Sequence, residues 1–184
     1  MKKAFFRFIN YVVLKYHGVV FAEMPECNGV LRIRNRGEIY IGEGVCFNSS
    51  LMSNSMGLYK PCTLVTYKDG VIRLGNNSGF SGVSIVSKKS IEIGSNVMVG
   101  GNVHIWDTDF HPLDPIKRRH NLDKDILNKK VIIENDVWIG ANTLVLKGVQ
   151  IGQNSVIAAG SVVSKSIPKN EIWGSHTLKR IRPK

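Results

Sequence analysis

Acidic residues are scarce in this chain: 14 Asp+Glu stand against 25 Lys+Arg among 184 residues, a formal net charge of +11. The imbalance points to an anionic partner, whether a nucleic acid, a membrane surface or a phosphorylated ligand. Cysteine is scarce as well. Cys27, Cys46 and Cys62 are an odd set without CxxC spacing, which excludes a disulfide framework and a zinc-finger arrangement. Aromatics make up only 8% while glycine supplies 18 residues, so turns and small side chains matter more than a bulky core. No run is apolar enough to span a bilayer: Arg7, Asn10 and Lys15 interrupt the N-terminal stretch MKKAFFRFINYVVLKYHG. No small-residue cleavage site follows it, so the expectation is a cytoplasmic chain with reduced thiols. At 43% hydrophobic and 21% charged, the composition is that of one globular domain, not of a disordered or collagen-like chain.

What is present is a period of six. From residue 133 the sequence reads IENDVW, IGANTL, VLKGVQ, IGQNSV, IAAGSV, VSKSIP. The leading positions, Ile133, Ile139, Val145, Ile151, Ile157 and Val163, are all β-branched. The fifth positions, Val137, Thr143, Val149, Ser155, Ser161 and Ile167, are small or β-branched. The spacing recurs at Ile93, Val99 and Ile105, and more loosely at Ile41 and Phe47. Six is neither the period of a half-buried strand nor that of an amphipathic helix. Strands of four or five residues ended by tight turns satisfy it, three to a triangular coil, each leading aliphatic lying over the one 18 residues earlier. Gly140, Asn142, Gly148, Gly152, Asn154 and Gly160 then fall at corners, which need positive φ or a side-chain-supported turn. The expected fold is an all-β solenoid of short parallel strands over 30–168.

Two flanks lie outside it. Residues 2–17 have helical spacing, with Phe5, Ile9, Val12 and Tyr16 on one stripe and Gly18 as a stop. This 1–20 segment reads either as a cap over the open end of the solenoid or as a peripheral membrane contact through Lys2, Lys3, Arg7 and Lys15. Residues 169–184 leave the repeat as a basic tail. The sixes also stop at Ile105 and resume at Ile133. Between them, residues 106–130 (WDTDFHPLDPIKRRHNLDKDILNKK) are too long and too polar for a coil, and such excursions usually carry function. His111 stands directly before Pro112, with Asp107 and Asp109 upstream; Pro112 and Pro115 stiffen the segment.

The sixes and the phrase HIWDTDFHPLDP together resemble the hexapeptide-repeat acyltransferases, over about residues 30–182 and most strongly over 91–168. The resemblance implies a left-handed parallel β-helix with an extruded catalytic loop, a homotrimer with active sites between subunits, and acetyl-CoA as acyl donor. It implies His111 as the catalytic base, with its other ring nitrogen held by Asp107, Asp109 or a backbone carbonyl, and Trp138 at the border of the site. Coenzyme A is implied along Gly140, Ala141, Ala159 and Gly160, its phosphates near Ser164, Lys165, Arg180 and Arg182. His104 ends its hexad and either lines the cleft or faces solvent; Lys88 suits an anionic acceptor. No metal is expected, because the spacing of His104, His111 and His120 is not that of the carbonic anhydrases sharing this solenoid. Direct transfer is expected, since no cysteine has an evident base beside it.

The galactoside and maltose enzymes carry an Asn and an Asp where this chain has Phe80 and Lys88, and no helical domain of the serine acetyltransferase kind is expected. The rest resembles enzymes that O-acetylate capsular or lipopolysaccharide sugars, including sialic-acid polymers. Two other readings stand beside it: an acyltransferase for an amino sugar or small metabolite, and a non-catalytic solenoid holding an anionic polymer. Nucleic acid is not expected, because the basic residues are scattered and lack interleaved aromatics for base stacking.

Overall fold

The period of six becomes a three-sided coil in the computed structural model, which describes residues 2–120, 122, 125–174 and 179–183. After helix α1 (Lys2–Tyr16), coil one carries β1 (Val20–Phe21), β2 (Glu26–Asn28) and β3 (Arg32–Asn35). Coil two carries β4 (Glu38–Ile41), β5 (Cys46–Asn48) and β6 (Thr63–Thr66). Coil three has β7 (Val71–Leu74), β8 (Gly79–Ser81) and β9 (Ser84–Ser87); coil four has β10 (Ile91–Ile93), β11 (Met98–Gly101) and β12 (His104–Trp106). Coil five has β13 (Val131–Ile133), β14 (Trp138–Ile139) and β15 (Leu144–Val145). Coil six has β16 (Gln150–Ile151), β17 (Val156–Ile157) and β18 (Val162–Val163). Every third strand stacks in parallel, so the first face gathers β1, β4, β7, β10, β13 and β16, the second β2 to β17, and the third β3 to β18.

Register follows the leading aliphatics. Ile133 lies on Ile151, Ile139 on Ile157 and Val145 on Val163. Across the excursion, Ile93 pairs with Ile133 and Ile105 with Val145. These side chains are buried, as are all six fifth positions. Small hydroxyls fit there because the corner carbonyls accept from them: Ser155 Oγ donates to Pro168 O and Ser161 Oγ to Ala158 O, both at 2.7 Å. Within the coils the strands run two to four residues, shorter than expected, and the corners take up the difference.

The corners divide by cause. Asn142, Gly148, Asn154 and Gly160 adopt positive φ. Gly140 and Gly152 do not; a Cβ on either would come within 2.4 Å of the backbone nitrogen of Ala159 or Lys169 in the coil above. Those two glycines are required by close stacking, not by turn geometry.

Both flanks differ from expectation. The coils begin at Val20, before residue 30, and α1 covers the open end of coil one by the side opposite to its expected stripe. Asn10 is fully buried; its Nδ2 donates to the Phe6 and Gly29 carbonyls and its Oδ1 accepts from the Leu31 amide, each at 2.8 Å. Leu14 is buried beside it, while Phe5, Val12 and Tyr16 point outward and Ile9 is half-buried. The uncovered coil end exposes backbone polar groups, and Asn10 satisfies two of them, the Gly29 carbonyl and the Leu31 amide, so it fixes which side faces in. The C-terminal segment is no free tail: β19 (Glu171–Gly174) extends the second face parallel to β17, and β20 (Lys179–Pro183) folds back antiparallel on it. Among the described residues, no helix is long and apolar enough to cross a membrane.

Candidate active site

The excursion leaves the solenoid after β12, at the corner between the third and first faces. Its base is zipped shut: Thr108 bridges Asn128, the Asp109 amide donates to Leu127 O (3.1 Å), and the Lys129 amide donates to Asp107 O (2.9 Å). The Asp107 carboxylate is buried in the coil below. It accepts from Ser87 Oγ at 2.7 Å and from the Lys88 and Lys89 amides at 2.7 and 2.8 Å. Asp109 forms an ion pair with Lys147 at 2.6 Å. Both carboxylates named as partners for His111 are therefore engaged elsewhere, and among the described residues no hydrogen bond joins either to the imidazole.

His111 itself sits on a braced bend. Its amide donates to Asp109 O at 2.7 Å, closing a three-residue turn whose centre, Phe110, has φ +63°. A left-handed conformation at a bulky residue costs about 1–3 kcal/mol and persists only where the surroundings impose it. Here the Phe110 ring stands edge-on to Trp106 at 5.2 Å. The buried Pro112 follows, then helix α2 (Pro115–Arg119), capped by Asp114. The amides of Lys117 and Ile116 hold the Asp114 carboxyl below its ordinary range. The Arg118 guanidinium donates to Pro112 O (3.0 Å) and to Leu113 O, tying α2 back to the bend. The His111 side chain is left exposed. His120 is the exposed C-cap residue of α2.

His104 faces outward from the third face, in register between Ser84 and Leu144, half-buried and edge-on to Trp106 at 5.1 Å. Its Nδ1 and the Nε1 of Trp106 are buried without a hydrogen-bond partner among the described residues. Burial, aided by the Lys60 ammonium, holds the His104 imidazole below its ordinary pKa.

Lys60 belongs to a second excursion, between β5 and β6, that the sequence reading missed. The signal for it is the long gap in the spacing between Phe47 and Leu64, filled by SLMSNSMGLYKPC. It lies over the corner between the second and third faces: Asn102 accepts from the Tyr59 amide and donates to Gly57 O, and Lys60 Nζ donates to Val103 O at 3.3 Å. Burial pushes the Lys60 ammonium down to about 8. A lowered folded-state pKa means that the unfolded chain binds more protons up to about pH 10.5, so the cost of burying this amine is complete below pH 8 and fades above it. Half-exposed and screened by water, the group costs under about 1 kcal/mol. Lys60→Met is expected to raise the melting temperature at pH 7, with most of the difference from native gone by pH 10.5. An equal difference at both pH values would exclude this origin.

Lys88 shares the corner of the first excursion. Its amide is held by Asp107, its ammonium lies 4.8 Å from the centre of the Tyr67 ring, and with Arg36, Lys68, Asp69 and Asn128 it lines a cleft of about 300 Å³. Gly140, Ala141, Ala159 and Gly160 gather at the opposite edge of the third face, in coils five and six. There the Gly140 amide donates to Ile157 O (2.7 Å) and that of Gly160 to Ala141 O (2.8 Å). Ala159 and Gly160 are exposed, whereas Ala141 is buried. Trp138, 52% exposed, stands on the second face in register with Met98. Ser164 and Lys165 are exposed at the corner after β18, with Lys165 Nζ 5.1 Å from the Trp173 ring. Arg180 pairs with Glu171 at 3.5 Å, and the Arg182 side chain lies outside the described residues. One chain thus holds two clusters at opposite edges of the third face, with His104 and Trp106 on the face between them.

The thiols are poor nucleophiles. Burial pushes Cys27 up to about 12 and Cys62 to about 11, and raises Cys46 as well. Among the described residues, no three His, Cys, Asp or Glu side chains converge as metal ligands.

The pattern of the bacterial transferase hexapeptide family (six repeats) matches residues 130–165. The galactoside O-acetyltransferase of Lactococcus lactis subsp. lactis (strain IL1403) is 48% identical over 90 residues, 49% of this chain and 42% of that one. The "Putative lipopolysaccharide biosynthesis O-acetyl transferase WbbJ" of Escherichia coli (strain K12) is 32% identical over 157 residues, 82% of this chain and 74% of its own length. This chain belongs to the hexapeptide-repeat acetyltransferase family. A hexapeptide-repeat-containing acetyltransferase of Vibrio cholerae O1 biovar eltor, solved with acetyl coenzyme A, superposes with a TM-score of 0.55 at 33% identity, covering 61% of this chain and 60% of that one. The solenoid is the left-handed parallel β-helix of the hexapeptide-repeat family. The chain spans about half the length of four curated relatives it matches, 42% to 53%.

Proposed function

We propose that this protein transfers the acetyl group of acetyl-CoA to a sugar hydroxyl of a bacterial surface polysaccharide, with His111 as general base. The observation that carries the reading is the bend at Phe110: a strained, braced turn holds one imidazole out of the scaffold, with its side chain uncommitted to any partner among the described residues. A sugar hydroxyl is a weak nucleophile. The imidazole takes its proton as the oxygen attacks the thioester carbonyl; the new C–O bond forms, the C–S bond breaks, and the proton passes to the departing thiolate. The raised thiol pKa values favour this direct route over an acyl-cysteine intermediate.

The side-chain-poor corner at Ala159 and Gly160 suits the pantetheine arm, which can approach backbone closely there. Exposed Lys165 would meet a phosphate, and half-exposed Trp138 would border the acyl group. The half-buried rings of His104 and Trp106 suit the acceptor on the face between the clusters. The basic cleft around Lys88 suits an acidic glycan. Phe80 is buried, its ring 5.3 Å from that of Phe47, so a galactoside-type contact at that position is replaced by core packing. Packed as a homotrimer, neighbouring solenoids would bring the His111 corner of one subunit against the Gly140 corner of the next. The exposed Met98 and Trp138 give the second face an apolar surface for that contact.

The test is incubation with acetyl-CoA and de-O-acetylated capsular, lipopolysaccharide and polysialic acid preparations, following thiol release and the product linkage. The expected product is a base-labile ester. A base-stable amide on an amino sugar would replace this reading by N-acyl transfer, and no glycan-dependent thiol release would remove it.

A further inference from the structure

The cap helix presents a second apolar side with nothing over it. At 3.6 residues per turn, Phe5, Phe8, Val12 and Tyr16 fall within about 80° of arc, and they are 60%, 69%, 49% and 84% exposed. Asn10 and Leu14 hold the opposite side of α1 against coil one, so this arc cannot turn inward. Beside it, Ala4, Phe8, Tyr11 and Met24 line an apolar cleft of about 400 Å³ with Arg7 at its rim. Four or five large apolar side chains in one exposed stripe call for a covering surface.

We propose that the outward face of α1 docks on an anionic lipid bilayer. Charge selects that occupant. No Asp or Glu precedes Glu23, while Lys2, Lys3, Arg7 and Lys15 do. Lys3 is partly neutralised by Glu26 at 3.3 Å, whereas Arg7 and Lys15 have no acidic partner among the described residues; the Lys15 ammonium rests 4.9 Å from the Phe21 ring centre. A helix lying in the interface with aromatic rings in the acyl boundary and cations at headgroup level has this composition. A second copy of the same face would set these cations against each other, which disfavours an isologous contact. The placement also leaves the rest of the molecule free: α1 closes coil one, at the far end of the solenoid from the coils five and six that carry Gly140 and Gly160. The inference stands on the helix alone and does not depend on the transferase reading.

The test is co-sedimentation of the full chain with phosphatidylglycerol–phosphatidylcholine vesicles and with phosphatidylcholine vesicles, without acetyl-CoA. Binding is expected only to the anionic vesicles and is expected to weaken as salt is raised. The Phe8→Glu/Val12→Glu variant is expected to lose at least about tenfold in vesicle affinity. Its melting temperature should be unchanged, because both side chains are exposed and the Asn10–Leu14 anchor is untouched; Phe5→Ser/Tyr16→Ser should behave alike. Absence of native binding to anionic vesicles, or undiminished binding in both variants, would overturn the proposal. So would self-association that disappears in the variants without any vesicle binding, which would assign the face to a second copy.

Discussion

His111→Ala is expected to lower acetyl transfer by about 10²–10⁴-fold, the usual contribution of a positioned general base, and to leave the affinity for acetyl-CoA within about twofold of native. The two parts of that expectation come from different places in the fold. The imidazole projects from the Phe110 bend at the corner between the third and first faces, whereas Gly140, Ala159 and Gly160 occupy the corner between the second and third. Truncation removes no hydrogen bond among the described residues and buries no new polar group, so the melting temperature should stay put. Steady-state rates with a fixed glycan, together with calorimetric titration of acetyl-CoA, separate the two readouts. Transfer above about a tenth of native would take the base role away from His111. A parallel loss of acetyl-CoA binding would mean that the bend itself had collapsed.

The legibility of this chain in its sequence divides by distance along the chain. The columns Ile133 on Ile151 and Val145 on Val163 could be read directly, because the last coils keep a strict spacing of 18. Lower down, Ile93 lies on Leu74 and Ile85 on Leu64, spacings of 19 and 21, because the corners swell. A reader counting sixes loses the thread there, and with it the excursion that carries Lys60. The helix failed differently. Its residues are apolar on both sides, so periodicity can nominate Phe5, Val12 and Tyr16 but cannot say that a polar residue, Asn10, decides the inward face. Asp107 is the third case. Its position two residues before Asp109 gives no hint that one carboxylate turns down into the coil below while the other turns toward Lys147.

That difference makes Asp107 the stability test of the excursion. Asp107→Ala is expected to cost about 3–5 kcal/mol, because it strands two consecutive backbone amides and a hydroxyl at about 1–3 kcal/mol each, less than fully additive since they share one partner. For a chain of this length, that corresponds to a melting-temperature fall of roughly 10–15 °C. The loss reaches the chemistry through geometry. The carboxylate anchors the strand entering the bend to the corner at Lys88 and Lys89, so kcat should fall while the KM for acetyl-CoA holds. Asp107→Asn keeps one acceptor oxygen but turns an NH₂ toward a donor, and should land between native and alanine on both measures. Melting curves of the two variants check the first expectation and steady-state kinetics the second. An alanine variant as stable as native would mean that water satisfies those amides as well as the carboxylate does. A loss of stability with kcat intact would show that Phe110 and Arg118 hold the His111 bend without help from the coil below.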